Sequence, residues 1–271
     1  MLGWSINLFR VFGIQLAMHV SFLLLLAYVG YDGWTEGGWF GAVVNMLLVV
    51  AFFVCVVLHE LGHSLTARRY GVQVPRILLM PIGGMAEFDR IPRQPRAELL
   101  ITAAGPAVNF AIVAVLVVAL GLPHGFPLHV EFEDSLTGVG HLLLYWNAIM
   151  GTFNLLPVFP MDGGRIFRAL LARKLDYLRA TYWAALIGKI LAGVLACVAA
   201  VYFKNPFVTV LFIFIFFAGD AEYRLLLRRE REAEHWAAWA KRLAAAQAAT
   251  PPQNPDDPSP PPPPLILHGP N

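Results

Sequence analysis

Charge is what this sequence has least of. Asp, Glu, Lys and Arg make up 14% of its 271 residues, where soluble domains carry about a quarter. That scarcity excludes an ordinary water-soluble domain. A hydrophobic share of 58% and a mean hydropathy of +0.60 also exclude a soluble domain with one sticky helix. Cysteine is nearly absent: Cys55 and Cys197 both lie inside apolar runs, which argues against a structural disulfide and against a thiolate metal site. No small-residue cleavage site follows the first apolar run, so that run, preceded by Arg10, reads as a retained span rather than a signal peptide. The class that fits is an all-α polytopic membrane protein, long enough for one compact membrane domain.

Six stretches approach the roughly 20 residues needed to cross the hydrocarbon. They are 14–29, 41–67, 99–120, one beginning near 139 and broken by Pro157 and Pro160, 182–203 and 207–219. Residues 1–219 then form the membrane domain, with its core over about 41–174. Residues 220–249, rich in Ala, Arg and Glu with Trp236 and Trp239, read as a cytoplasmic helix that could rest on an anionic leaflet. Residues 250–271 are Pro-rich and are expected to form a disordered, polyproline-like tail.

Lys and Arg are missing from alternate connections, apart from the short one between spans five and six, which holds Lys204. Asp32 and Glu36 lie between spans one and two, and Glu131, Glu133 and Asp134 between spans three and four, with no basic residue in either. The intervening connections carry Arg68, Arg69, Arg76, Arg90, Arg93 and Arg96, then Arg165, Arg168, Arg173, Lys174 and Arg179. Arg224, Arg228, Arg229 and Arg231 follow span six. The positive-inside rule therefore places both termini in the cytoplasm.

Against this background one stretch stands out. Residues 43–58 hold only Asn45 as an interior polar group, and they run into His59-Glu60-Leu61-Gly62-His63. On a helix His59 and His63 share one face, so both imidazoles can reach one metal ion. Glu60 sits beside the first of them, where its carboxylate can take a proton from water activated by the metal. His59 lies about 18 residues into an inward-running span, roughly 27 Å along it, so the site is expected inside the membrane toward the cytoplasmic side. Polar solvation at a helix end is the plainer reading. An ionisable cluster in a span, however, is by default a functional-site hypothesis.

Span four also runs inward, and its late residues reach the same depth. There the chain reads Asn154-Leu155-Leu156-Pro157-Val158-Phe159-Pro160-Met161-Asp162-Gly163-Gly164-Arg165. The prolines deny the helix backbone donors and the glycines permit a sharp turn. Unwound backbone at membrane depth is tolerated only where protein or a water-filled cavity satisfies it. Asp162 can complete a two-His, one-carboxylate zinc site, or it can cap the helix that follows. Asn154, about two turns earlier, could donate its amide to an oxyanion.

These motifs carry a family resemblance. His59-Glu60-Leu61-Gly62-His63 in one span, followed in a later one by Asn154-Leu155-Leu156-Pro157 and Met161-Asp162-Gly163-Gly164, resembles the site-2 protease family of intramembrane zinc metalloproteases. Ala104-Gly105-Pro106-Ala107-Val108-Asn109 is also similar to that family. The resemblance covers roughly residues 10–220. It implies a three-helix catalytic core with one zinc ion per chain, ligands His59, His63 and Asp162, Glu60 as general base, and a transmembrane helix as substrate. The form is that of compact six-span prokaryotic members without a periplasmic PDZ insertion, which suggests a bacterial or archaeal inner membrane. Some such members carry cystathionine-β-synthase-type domains at the C-terminus, for which the chain after Gly219 has no room.

Similar segments in the family form a re-entrant loop or hairpin, the expectation here for residues 78–88. An exposed edge at Gly83, Gly84, Met85 and Ala86 could pair with an unwound substrate segment; the plainer reading is a packing loop. Asn109 could touch substrate or hydrogen-bond across the core, as polar residues between spans commonly do. His19, His124, His129 and His141 have no partner at ligand spacing and are read as incidental. The expected partners are a transmembrane protein and the lipid bilayer, with no nucleic acid; homo-oligomerisation is left open. Two rivals are a non-catalytic binder of the same fold, which would have no use for Glu60, and a metal transporter. A transporter would need metal-binding residues along several spans.

Overall fold

The longest helix of the computed structural model, α1 (Ser21–Arg69), has 49 residues. At 1.5 Å per residue a straight helix of that length would reach about 74 Å, more than twice the hydrocarbon thickness. It is not straight. Gly37 and Gly38 leave helical geometry, with φ of −132° and +59°, and the left-handed value at Gly38 suits a residue without a Cβ. Gly33 and Gly41 then meet backbone to backbone, and Gly30 faces the Met46 side chain. α1 is therefore a hairpin of two helical arms, the second of which ends in the His-Glu-x-x-His motif.

The structure describes residues 4–89, 92–123 and 136–249. His124, His129, the acidic residues Glu131, Glu133 and Asp134, Arg90 and the Pro-rich tail fall outside them. The helices after α1 are α2 (Pro95–Leu120), α3 (Leu136–Asn154), α4 (Asp162–Leu171), α5 (Tyr177–Val201) and α6 (Pro206–Ala249). Helices dominate, and α1, α2 and α5 are long and apolar enough to cross a membrane. The chain divides after Asp220 into two units. The second contains the mostly exposed latter part of α6, where the rings of Trp236 and Trp239 meet edge to face at 6.0 Å.

A four-stranded sheet accompanies the helices, in the order β1 (Ser5–Val11), β2 (Ile14–His19), β3 (Arg76–Met80), β4 (Gly83–Ala86). Only the β3–β4 hairpin was expected. The start of the first expected span, residues 14–19, is in fact β2, and the first arm of α1 begins at Ser21. The cause is its interior place in the sheet: β1 and β3 pair along its two edges, and Ile14, Leu16 and Ala17 are buried. A short apolar run of that kind has no periodicity to separate strand from helix. The turn before it does carry a signal, since Phe12 and Gly13 both have positive φ, as a tight hairpin requires.

The sheet packs on α1. Ile14, Leu16, Ile77 and Leu79 share a core with Phe22, Phe53, Val56 and Leu61. β3 and β4 are antiparallel, with Ile77 opposite Ala86 and Leu79 opposite Gly84. At their open end Arg76 Nη2 donates to Glu87 Oε1 at 2.8 Å, a bond that raises the pKa of the guanidinium. Glu87 N–H donates to the Arg76 carbonyl. The alternation of an antiparallel ladder therefore turns the N–H and C=O of Gly84 and Ala86 away from β3, toward the free edge.

The second arm of α1 lies close against α2. A Cβ on Gly62 would fall 2.7 Å from the Ala104 carbonyl oxygen and 2.9 Å from Val108 Cγ2, so glycine is what permits this approach. α4 is tied to α2 by a buried ion pair. Arg168 Nε and Nη2 donate to Glu98 Oε1 at 2.8 and 2.5 Å, with both residues 2% exposed. Arg168, counted above among the basic residues of a connection between spans, is thus an interior residue: its planar guanidinium finds a carboxylate and two aromatic faces, Phe159 and Tyr177.

Candidate metal centre

His59 and His63 project from one face of α1, one turn apart, with their rings edge to face at 4.7 Å. Their Nε2 atoms are 3.1 Å apart. Asp162, the first residue of α4, places Oδ2 3.3 Å from His59 Nε2 and 3.2 Å from His63 Nε2. It makes no capping hydrogen bond; Met161 occupies the N-cap position. The three atoms form a nearly equilateral triangle. Zinc bonds of 2.0–2.1 Å to such atoms imply a tetrahedral edge of roughly 3.3–3.4 Å, close to what is seen.

The protonation pattern fits as well. His59 Nδ1 lies 2.6 Å from Asn109 Oδ1, and His63 Nδ1 lies 2.8 Å from the carbonyl oxygen of Ile101. A proton on each Nδ1 leaves each Nε2 with a lone pair facing Asp162. Three buried acceptors then converge with no hydrogen between them, and Asp162 Oδ2 has no hydrogen-bond partner. Gly105 completes the cradle, since a Cβ there would run into His63 Nε2 and lie 2.8 Å from His59 Nε2. The donor set, its spacing and its lack of internal donors suit a zinc ion.

Two different devices deliver these ligands. Helical periodicity brings the histidines together. Asp162 arrives over a broken segment in which a Cβ on Gly163 would collide with the Leu155 and Leu156 carbonyls, and one on Gly164 would lie 2.7 Å from Val158 C. The Gly pair therefore lets α4 start directly against the end of the loop.

Glu60 follows His59 and is partly buried. Its Oε2 accepts the outward-facing N–H of Ala86 at 3.2 Å. A Cβ on Gly84 would lie 2.8 Å from Glu60 Cγ, so β4 rests directly on the glutamate. Gly83, Gly84, Met85 and Ala86 form this edge strand beside the site. Asn154 closes α3 at the head of the broken segment. Asn109 is fully buried and gives its side chain to His59 and Asn147, not to the free edge of β4. His19 hydrogen-bonds Ser21 at the foot of α1.

Sequence reasoning passed over Asn147, Glu98 and Arg168. Asn147 had one available signal: a lone amide in an apolar span needs a partner. Arg168 had none, because its place in a basic stretch made it resemble its solvated neighbours.

Fold and centre together define a helical integral membrane protein with a two-histidine, one-carboxylate cluster that could hold a metal ion. The model of Peptidase family M50 matches residues 47–140 and 132–195. The chain belongs to that family. It is 39% identical over 229 residues to zinc metalloprotease MJ0392 of Methanocaldococcus jannaschii, covering 83% of this chain and 62% of that one. It is 34% identical over 202 residues to putative zinc metalloprotease Rip3 of Mycobacterium tuberculosis, covering 70% of this chain and 50% of that one. The chain thus spans between half and about two thirds of these relatives. The solved site-2 protease from Methanocaldococcus jannaschii superposes with a TM-score of 0.55 at 38% identity, over 81% of this chain and 95% of that one.

Proposed function

We propose that the chain is a zinc-dependent endopeptidase that cuts a transmembrane helix of another protein within or near the bilayer. The observation that carries this reading is the His59, His63 and Asp162 triangle with Glu60 beside it, set among apolar helices. The relatives named as zinc metalloproteases support it.

When bound, zinc supplies Lewis acidity toward water and toward a peptide carbonyl. His59, His63 and Asp162 hold it. The Glu60 carboxylate accepts the proton of the attacking water and returns it to the leaving amine nitrogen. The Asn154 amide donates to the carbonyl oxygen as charge develops there. A helical substrate hides its peptide bonds, so a segment must unwind before attack. The free edge of β4, through Gly84 and Ala86, is the surface that would hold it extended. Both termini lie in the cytoplasm of a bacterial or archaeal cell on this reading. The basic residues Arg165, Arg173, Lys174 and Arg179 still support that orientation once Arg168 is removed from the count.

The test combines metal content and turnover. Purified protein should hold about one zinc per chain, and His59→Ala and Asp162→Ala should retain it poorly. Glu60→Gln should keep the metal yet lose cleavage of a reconstituted transmembrane-helix reporter. Full cleavage by Glu60→Gln would sink the mechanism, and folded wild type that takes up no zinc would sink the metal assignment.

A further inference from the structure

Asn109 can meet His59 with either end of its amide, and the two ends have opposite consequences. Its oxygen calls for a proton on His59 Nδ1 and leaves Nε2 free to bind metal. Its NH2 would need a lone pair on Nδ1, which moves the proton to Nε2 and blocks the ligand position. Nothing in Asn109 itself decides between them.

The decision is made one residue further out. Asn109 Nδ2 donates to Asn147 Oδ1 at 2.9 Å, and Asn147 Nδ2 donates to the backbone carbonyl of Leu143 at 2.8 Å. That carbonyl can only accept. It therefore holds the NH2 of Asn147 toward itself and the oxygen of Asn147 toward Asn109. Asn109 must then present NH2 to Asn147 and oxygen to His59. Asn109 and Asn147 are both fully buried, so neither amide is open to bulk solvent.

We infer that Asn147 is a positioning residue. Through Asn109 it transmits the polarity of a helix α3 carbonyl to His59 and fixes which ring nitrogen carries the proton, so that the Nε2 facing Asp162 keeps its lone pair. The inference rests on the metal reading above. His63 needs no such relay, because Ile101 offers it a backbone carbonyl directly.

The experiment uses full-length purified protein and zinc itself, titrated against a chromophoric chelator. Asn147→Leu keeps the volume but removes both ends of the relay, and it should weaken zinc binding about 10–100-fold, the range for losing an outer partner of a histidine ligand. Asn109→Asp added to Asn147→Leu should recover most of that loss, since a carboxylate has no donor end to turn toward His59. Nitrogen-15 spectra of the metal-free histidines should place the His59 proton on Nδ1 in wild type and in the double variant, and spread it over Nδ1 and Nε2 in Asn147→Leu. Wild-type zinc affinity in Asn147→Leu, or no recovery in the double variant, would overturn the assignment. If Asn147→Leu does not fold, the wild-type spectrum decides: a His59 proton on Nε2 overturns it. A proton on Nδ1 in wild type that takes up no zinc would leave the relay standing while the metal reading fell.

Discussion

The two halves of the metal centre are built in different ways. The histidine half is local: His59 and His63 are one turn apart on one helix, and α2 backs both of them with Ile101, Gly105 and Asn109. The carboxylate half is assembled from a distance. Asp162 follows a broken helix and sits on a ten-residue helix whose placement depends on the Glu98–Arg168 pair. Val158, just upstream, belongs to one buried apolar cluster with Ala192 and Ala196 of α5 and Phe212 and Ile215 of α6. One half is written in a spacing, the other in tertiary contacts. Damage to the second should therefore come from residues that touch no metal.

Arg168→Met is the strongest probe of that difference. It strands Glu98 in the interior, and removing one partner of a buried pair costs about 3–5 kcal/mol. Zinc retention should fall as it does in Asp162→Ala, and thermal unfolding in detergent should come earlier. Unchanged unfolding and zinc content would break the comparison. Gly105→Ala probes the histidine half, where the added methyl meets both Nε2 atoms. Overpacking of this kind costs about 1–3 kcal/mol, and here it should appear mainly as weaker zinc affinity with little change in unfolding. The weakest probe is Lys189→Met. Lys189 pairs with Asp220 at 2.9 Å and lies 4.8 Å from the Phe216 ring, joining α5 to α6. Both partners are about one-third exposed, so the loss should be no more than about 1 kcal/mol. A zinc defect as large as that of Arg168→Met would relocate control of Asp162 to α5 and α6.

The same division explains what could be read in advance. The motif on α1 was legible because four-residue spacing fixes a shared helix face, and the approach to Asp162 was legible because Pro157, Pro160 and the Gly pair forbid a continuous helix. Helix α2 and the approximate extent of α5 followed from unbroken apolar length. β2 did not, since a buried strand and a short helical span present the same residues. The structural role of Arg168 was not legible, because charge is normally a sign of solvent, and only its distant partners Glu98, Phe159 and Tyr177 make it an interior residue. Asn147 escaped for a related reason: its meaning depends on Asn109 of a different helix, and no pattern within α3 reveals that register.

Ala86 has one backbone hydrogen and two claimants. In the resting protein that hydrogen is held by Glu60, yet it points along the open side of β4, where an extended segment would reach for it. On the proposed function, a substrate strand that took it would evict the carboxylate. Docking a strand and freeing the proton acceptor would then be a single event, because the bond that holds Glu60 is the one the strand would need.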